Sequence, residues 1–155
     1  MTLMTDIVES DDAEMIPLAH VPTLEEIQRL EAVIGACEQV EMPPVHHFAN
    51  GLYGRAIRIP AGTVLTGKQH ATEHLNILAE GEITVWTEGG MKRLKAPHVM
   101  VSSPGTKRVG YAHTDTVWIT VHASKETDLE KLEAELIVPE TPAITAEESP
   151  CLGSQ

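Results

Sequence analysis

Three observations predict an all-β fold for this chain, an antiparallel barrel flanked by an α-helix at each end. Between residues 44 and 123, short β-branched runs alternate with turn signals. Apolar residues recur at helical spacing on either side of that region. The length of 155 residues and the apolar fraction of 42% suit one domain with a single core.

The central region predicts about eight strands. Turns such as Asn50-Gly51 and Glu80-Gly81 separate them, because glycine supplies the positive φ that tight turns require. Turns of this kind join neighbouring strands as hairpins, so the sheet is predicted to be antiparallel. The predicted strands cover residues 45–49, 53–59, 63–65, 73–79, 82–87, 91–95, 99–102 together with 108–111, and 116–122.

The flanks predict two helices. Capping boxes at residues 23–26 and 127–130 precede apolar residues at helical spacing. The second helix is expected to pack outside the barrel or on a partner. The predicted divisions are a flexible acidic arm at 1–22, a helix and linker at 23–43, the barrel at 44–123, a helix at 124–138 and a disordered tail at 139–155.

Charge and hydropathy exclude several classes of function. The net charge of −12 argues against nucleic-acid binding, because neutralising phosphates requires clustered Lys and Arg. No long apolar run and no basic-then-apolar leader is visible, so we expect no membrane partner and a cytoplasmic location. Residues 52–123 hold eight basic and five acidic side chains. A basic centre of this kind suits a small anion, although solvated surface charge gives the same count.

One segment resembles the first motif of the cupin family, in which a Pro-Gly turn leads to a His-x-His pair, a Glu and a strand ending in a glycine turn. The matching run at 59–85 reads IPAGTVLTGKQHATEHLNILAEGEITV. Counted back from Gly81, His74 stands at the Glu position, His70 at the second His and Lys68 at the first. The resemblance implies a jelly-roll barrel, and a homodimer because cupins commonly pair.

A second segment resembles the other cupin motif, a Pro and Gly turn followed by His. It reads SSPGTKR at 102–108 and has Arg108 where the family has the His. Together the two segments carry a resemblance over residues 52–123, about half of the chain. Because Lys68 and Arg108 replace two ligands, the fold is implied more firmly than the chemistry.

The resemblance implies a divalent metal, with Fe, Mn, Ni or Zn as candidates, held by His70 and His74. His113 can supply a third imidazole if its loop bulges, and Glu73 or water completing a two-His site is an alternative. A Lys or Arg beside the metal opposes this reading, since like charges repel strongly in a low-dielectric barrel.

The same residues also suit an anion site, because Lys and Arg offer charge and hydrogen-bond donors. Arg55 and Arg58 lie on opposite faces of one predicted strand, so one of them can join the site, and parity alone does not choose between them. The candidate ligand-binding residues are Tyr53, Lys68, His70, His74 and Arg108.

The remaining histidines predict no joint role. His46 and His47 are adjacent, so they face opposite ways in a strand. His98 lies at a turn and His122 closes the last predicted strand, and at both positions a solvent-facing imidazole is expected.

Three functional classes remain open. The leading hypothesis is a non-catalytic cupin that binds a small anionic molecule. The second is a metal-dependent cupin enzyme, an isomerase or oxygenase, that uses His70 and His74. The third is a structural or virion-associated protein whose acidic termini bind a protein partner, because the chain also resembles small cupin-like proteins of tailed bacteriophages in its PGTKR turn and VWITVH strand. A phage origin implies host cytoplasm or virion as the location.

Overall fold

The computed structural model of this chain describes residues 14–16, 22–87 and 90–139. Within these ranges, ten strands form two five-stranded sheets and two α-helices flank them. Most of the predicted arm and nearly all of the predicted tail lie outside the described residues.

The elements follow one another in the order β1, α1, β2 to β10, α2. The helices are α1 (Leu24–Gly35) and α2 (Leu129–Leu136). The strands are β1 (Glu14–Ile16), β2 (Val45–Ala49), β3 (Leu52–Ile59), β4 (Val64–Thr66), β5 (His74–Glu80), β6 (Glu82–Thr87), β7 (Gly90–Lys95), β8 (His98–Ser102), β9 (Val109–Ala112) and β10 (Thr116–Ala123).

The two sheets have jelly-roll connectivity. The first, here the A sheet, has the order β1-β7-β6-β9-β4, and the second, the B sheet, has the order β2-β3-β10-β5-β8. The strand pairs are antiparallel, which confirms the predicted all-β class with flanking helices. No strand pairing among the described residues joins one sheet to the other, so they form a sandwich and are not closed into a barrel.

The chain changes sheets at turns that the sequence marks. Gly81 connects β5 of the B sheet to β6 of the A sheet with φ +87°, and a Cβ there would collide with the Asp115 carbonyl oxygen. The turn at Pro104 and Gly105 likewise separates β8 from β9. The segments 99–102 and 108–111, predicted together as one strand, therefore belong to different sheets.

Alternation along the strands sends apolar side chains between the two sheets. The buried cluster there consists of Ile59, Leu78, Ile83, Val85, Leu94 and Ala112. Aliphatic residues dominate this core because the chain has only five aromatic side chains. The core fills part of the space between the sheets, and the rest is an open cavity.

Helix α1 begins at the predicted capping box. The Glu26 backbone N–H donates to Thr23 Oγ1 at 3.2 Å, and the Thr23 backbone N–H donates to the Glu26 carboxylate at 2.7 Å. An ion pair of 2.7 Å between Lys107 and Glu31 ties the helix to the loop before β9. The Lys107 side chain is only 5% exposed, so this pair is largely shielded from solvent.

Helix α2 packs on the sandwich, as one of the two expectations has it, and its inner side lines the cavity. Its Leu132 and Leu136 pack on Tyr53. The end of the helix is fixed by backbone hydrogen bonds, in which the Ala71 N–H donates to the Leu136 carbonyl at 2.8 Å and the Val138 N–H to the Gln69 carbonyl at 2.9 Å. The sequence pattern identified the helix correctly but could not show which surface it covers.

The strand β1 lies inside the segment predicted to have little structure of its own. It pairs antiparallel with β7 at the edge of the A sheet. This edge supplies backbone hydrogen-bond partners that composition alone does not reveal. Neither α1 nor α2 has the length and hydropathy needed to cross a membrane.

Candidate metal centre

Three histidine side chains from separate segments meet between the sheets. His70 lies in the loop before β5, His74 begins β5, and His122 lies near the end of β10. One ring nitrogen from each lies within 4.8 Å of the other two. The ring centroids are 4.3 Å apart for His70 and His74, 4.6 Å for His74 and His122, and 4.9 Å for His70 and His122.

Strand alternation explains why these rings point inwards. His74 shares the buried face of β5 with Asn76 and Leu78, and His122 shares the buried face of β10 with Thr116 and Thr120. His74 is 6% exposed and His122 is 2% exposed, whereas His70 is half-buried. The chain therefore places three imidazole rings together between the two sheets.

The tautomer of His74 follows from its hydrogen bond. Its Nδ1 lies 3.0 Å from the Thr72 carbonyl oxygen, which can only accept a hydrogen bond. Nδ1 therefore carries the proton, and the Nε2 lone pair of the neutral ring remains available. A backbone carbonyl that fixes the ring in this way is typical of histidines that ligate metals.

The other two rings have buried nitrogens that lack a hydrogen-bond partner. These atoms are Nδ1 of His70 and Nδ1 of His122. Buried polar atoms are nearly always hydrogen-bonded, so two unsatisfied nitrogens in one cluster call for an explanation. A ligand held between the rings would supply the missing interaction.

Burial keeps the cluster uncharged. It lowers the pKa of His70 to about 3, and the neighbouring rings of His74 and His122 and the cations Arg55 and Lys68 lower it further. Burial, then His74 and Arg55, lower the pKa of His122 to about 4. The pKa of His74 is also lowered, mainly by burial. All three imidazoles are neutral near pH 7, which is the form that binds metals.

The cluster opens into a cavity of about 390 Å³ between the sheets. This volume falls in the range of small-molecule sites, which is about 300 to 1,000 Å³. The apolar lining comprises Ile57, Ile59, Leu65, Ile83, Val85, Val109, Trp118, Leu129, Leu132, Leu136 and Ile137. A bound molecule would thus contact mostly hydrocarbon.

Charged groups line the cavity near the histidines. Lys68, Arg55 and Arg108 are cationic, and Glu133 of α2 is the acidic side chain among the described lining residues. Lys68 forms an ion pair with Glu133, and both side chains are more than half exposed. Arg55 forms no ion pair with any residue in the described ranges.

A hydrogen-bonded chain fixes the polar side of the cavity. Trp118 Nε1 donates to Asn76 Oδ1 at 3.2 Å, and Asn76 Nδ2 donates to Ser102 Oγ at 2.5 Å. Arg108 Nη2 donates to the same Ser102 oxygen at 2.6 Å. The guanidinium of Arg108 is thereby held against the wall that β5 and β8 form.

Known proteins resemble this chain in structure rather than in sequence. No protein-family model and no curated protein matches the chain. Salicylate 1,2-dioxygenase from Pseudaminobacter salicylatoxidans is similar with a TM-score of 0.51 and 14% identity, over 71% of this chain and 34% of that one. The Cupin_2 domain of an XRE family transcriptional regulator from Enterobacter cloacae gives a TM-score of 0.46 and 10% identity, over 55% and 98% of the two chains. KdgF from Halomonas sp. gives 0.49 and 18%, over 59% and 88%.

This chain has a cupin-like jelly-roll fold. Identities this low show the fold alone, so what the cupin site can do follows from its own residues. The chain spans about a third of the length of the dioxygenase, whose activity as a whole is not carried over.

The cavity brings His70 and His74 together, as the motif resemblance implies. The third imidazole beside them is His122, and His113 is not part of this group. His113 Nε2 lies 2.7 Å from Thr84 Oγ1. Thr84 alternates with the core residues Ile83 and Val85, so His113 lies on the opposite face of the A sheet. Although His113 follows Arg108 by only five residues, it does not line the cavity.

The expectation that His122 faces solvent is wrong, since only 2% of it is exposed. A signal for its true position exists in the sequence. Residues 116, 118, 120 and 122 share one face of a strand, so if Trp118 points inwards, His122 does too; the half-buried Trp118 does line the cavity.

The remaining predicted ligand-binding residues all line the cupin cavity. Tyr53 contributes a buried ring whose hydroxyl lies 2.7 Å from His46 Nδ1. Lys68 and Arg108 line it as well. The structure also decides between the two strand arginines, because Arg55 lines the cavity whereas Arg58 is exposed and paired with Glu80.

Proposed function

We propose that this cupin binds one divalent transition metal through His70, His74 and His122 and uses it to hold a small molecule in the adjacent cavity. The observation that carries the proposal is the convergence of three imidazole nitrogens within 4.8 Å. Three histidines around an open position are a common ligand set for metals that act on small molecules.

The donor set fits such an ion. Ligand atoms about 2.1 Å from one metal lie roughly 3 to 3.5 Å from one another, so the rings need only a modest contraction. The unsatisfied Nδ1 atoms of His70 and His122 and the oriented ring of His74 support the same conclusion. Imidazole nitrogen is a suitable ligand for Fe, Mn, Ni and Zn, and three histidines alone do not determine which of these metals binds.

A bound metal would supply Lewis-acid polarisation of the oxygen atoms of a ligand. The residues of the chain would then perform the other tasks. Thr72 holds the His74 ring, the apolar walls exclude water, and α2 covers the opening. This arrangement supports the metal-dependent class, either an enzyme or a binding protein, over a metal-free one.

The metal content of untagged protein tests the proposal. We expect about one equivalent of a transition metal per chain, or uptake of one equivalent of added Zn²⁺, because the site is already assembled. The matched control is the triple variant His70→Asn, His74→Asn, His122→Asn, which should take up none. Less than about a tenth of an equivalent in the wild-type protein after incubation with Zn²⁺ would refute metal binding.

A specific observation favours a second candidate, a site that binds an anion without a metal. Arg55 faces the cavity without an ion-pair partner in the described part of the chain. Titrating metal-free protein with small carboxylates, sugar phosphates and nucleotides tests this candidate. Binding that chelators leave unchanged and that Arg55→Gln abolishes would favour it over the metal site.

A further inference from the structure

The charge around the histidine cluster is unbalanced once a metal is present. The cluster consists of three neutral imidazoles and contains no carboxylate from the described residues. Neutral ligands do not offset the charge of a divalent ion, so the metal and its three ligands together would carry a charge of about +2. Arg55 adds another positive charge at the same cavity. Repulsion between such groups in a partly dry cavity is costly unless an anion lies between them.

The protein offers little compensation of its own. Glu133 is the acidic lining residue within the described ranges, and it is paired with Lys68 near the solvent. Arg55 forms no ion pair with an acidic side chain of the described ranges, although it lies near enough to Glu133 to lower the pKa of that carboxyl group. A bound anion would supply the compensating charge.

The walls of the cavity define the rest of that molecule. Beyond the histidines and arginines, the lining consists mainly of aliphatic side chains such as Ile57, Leu65 and Val109, with the indole of Trp118. Among the polar lining groups, Thr120 Oγ1 is buried and lacks a hydrogen-bond partner. A ligand with a compact apolar body and one small anionic head group would match both the aliphatic walls and the part of the cavity near the histidines and Arg55.

We propose that the ligand is a monocarboxylate with an apolar body, an inference that rests on the proposed metal site. Its carboxylate would lie between the metal and Arg55, and its body would lie in the hydrocarbon part of the cavity. Arg55 recognises the head group, because a guanidinium matches the two oxygens of a carboxylate. Arg108, held by Ser102, lies at the same cavity and contributes positive charge. A phosphate monoester has more charge and more oxygen atoms to desolvate, so we expect it to bind less tightly than a carboxylate.

Titration of the Co²⁺-loaded full-length protein with benzoate tests this inference. Calorimetry reports affinity, and the visible absorption of Co²⁺ reports whether the added molecule reaches the metal. We expect benzoate to bind and to change the spectrum. Benzamide, which lacks the charge, and acetate, which lacks the body, should each bind about tenfold more weakly or worse.

Two arginine variants on one strand provide a matched comparison. Arg55→Gln should weaken benzoate binding about 10- to 100-fold without weakening Co²⁺ binding, and retained Co²⁺ stoichiometry shows that the variant is folded. Arg58→Gln should change neither, because Arg58 is exposed and paired with Glu80. Arg55→Lys keeps the positive charge but loses the two parallel N–H donors of the guanidinium, so its benzoate affinity should lie between those of the other two variants.

Three results would overturn the inference. The first is benzamide binding as tightly as benzoate. The second is an unchanged benzoate affinity in Arg55→Gln. The third is phenyl phosphate binding tenfold more tightly than benzoate. Failure of the metal site is recognised separately, because Co²⁺ itself would then not bind. In that case metal-free protein is titrated: benzoate binding that requires Arg55 supports the carboxylate inference, and absence of binding overturns it.

Discussion

The ring of His122 stacks on the ring of His74, with centroids 4.6 Å apart and an interplanar angle of 25°. The register of the B sheet explains this contact. Val121 of β10 is the partner of Leu75 in antiparallel β5, so the next residues, His122 and His74, lie side by side on the opposite face. The pairing of two central strands thus holds two of the three candidate metal ligands.

Replacing His122 should abolish tight metal binding. His122→Asn removes one of three ligands, so Zn²⁺ affinity should fall about 100-fold or more in a competition titration with a chelator. The control is His113→Asn, which removes a histidine hydrogen-bonded to Thr84 outside the group. The control should bind Zn²⁺ like the wild type. Equal losses in both variants would contradict the assignment of His122.

The metal-free protein should lose stability as the pH falls from about 7.5 to about 5. The folded-state pKa values of His70 and His122, about 3 and about 4, lie below the ordinary 6.5. Below pH 6.5 the unfolded chain therefore binds protons that the folded chain does not. The stability is complete above pH 6.5 and declines towards the folded-state pKa values.

Urea unfolding with a chelator present measures this decline. His122 should account for on the order of 1–2 kcal/mol at pH 5, and His122→Asn should lose correspondingly less stability over the interval. His74 and His98, whose pKa values are also lowered, add in the same direction. Glu82, Glu126 and Glu133 have pKa values below the ordinary 4.5, so they act at lower pH. A pH-independent stability between pH 7.5 and 5 would contradict the prediction.

Truncating Leu132 should loosen the helix that covers the cavity. Leu132 is 2% exposed and packs on Tyr53, so Leu132→Ala should destabilise the protein by about 2 to 5 kcal/mol. Leu129, on the same helix, is 47% exposed, and Leu129→Ala should cost less than about 1 kcal/mol. Thermal unfolding compares the two variants. Similar losses would show that α2 is not docked as described.

The homodimer remains a prediction, and the outer face of the B sheet is the surface on which we expect a second copy of this chain. The exposed apolar residues on this face are Val45, Leu52, Leu75, Val99 and Val101. Arg58 on the same strand as Leu52 is paired with Glu80. On a chain of net charge −12, a nearly neutral apolar face allows two copies to meet without strong repulsion.

Sedimentation equilibrium tests the dimer. The wild type should have twice the mass of one chain, and Val101→Lys should shift it to the monomer by placing a charge on an apolar interface. Val64→Lys is the control, because Val64 is also exposed but belongs to the A sheet. A monomeric wild type, or equal effects of both variants, would exclude this face.

Local patterns predicted most of the fold. Alternation and glycine turns located the strands from β2 to β10, and capping boxes located both helices. The cupin motifs brought His70 and His74 to one site. Sequence patterns could not show that α2 covers the cavity, or whether Arg55 or Arg58 points inwards. Both depend on packing between distant segments.

The role of the acidic ends could not be tested in the same way. The virion-associated class rests on termini that lie mostly outside the described residues, so it stays a prediction. Removing residues 140–155 should abolish assembly with a partner if that class is correct, and should leave metal binding unchanged.

A crystal structure of the protein soaked with Zn²⁺ tests the central claim most directly. Anomalous scattering should show one peak about 2.0 to 2.1 Å from a ring nitrogen of each of His70, His74 and His122. A peak at other residues, or none at these three histidines at full Zn²⁺ loading, would contradict the account.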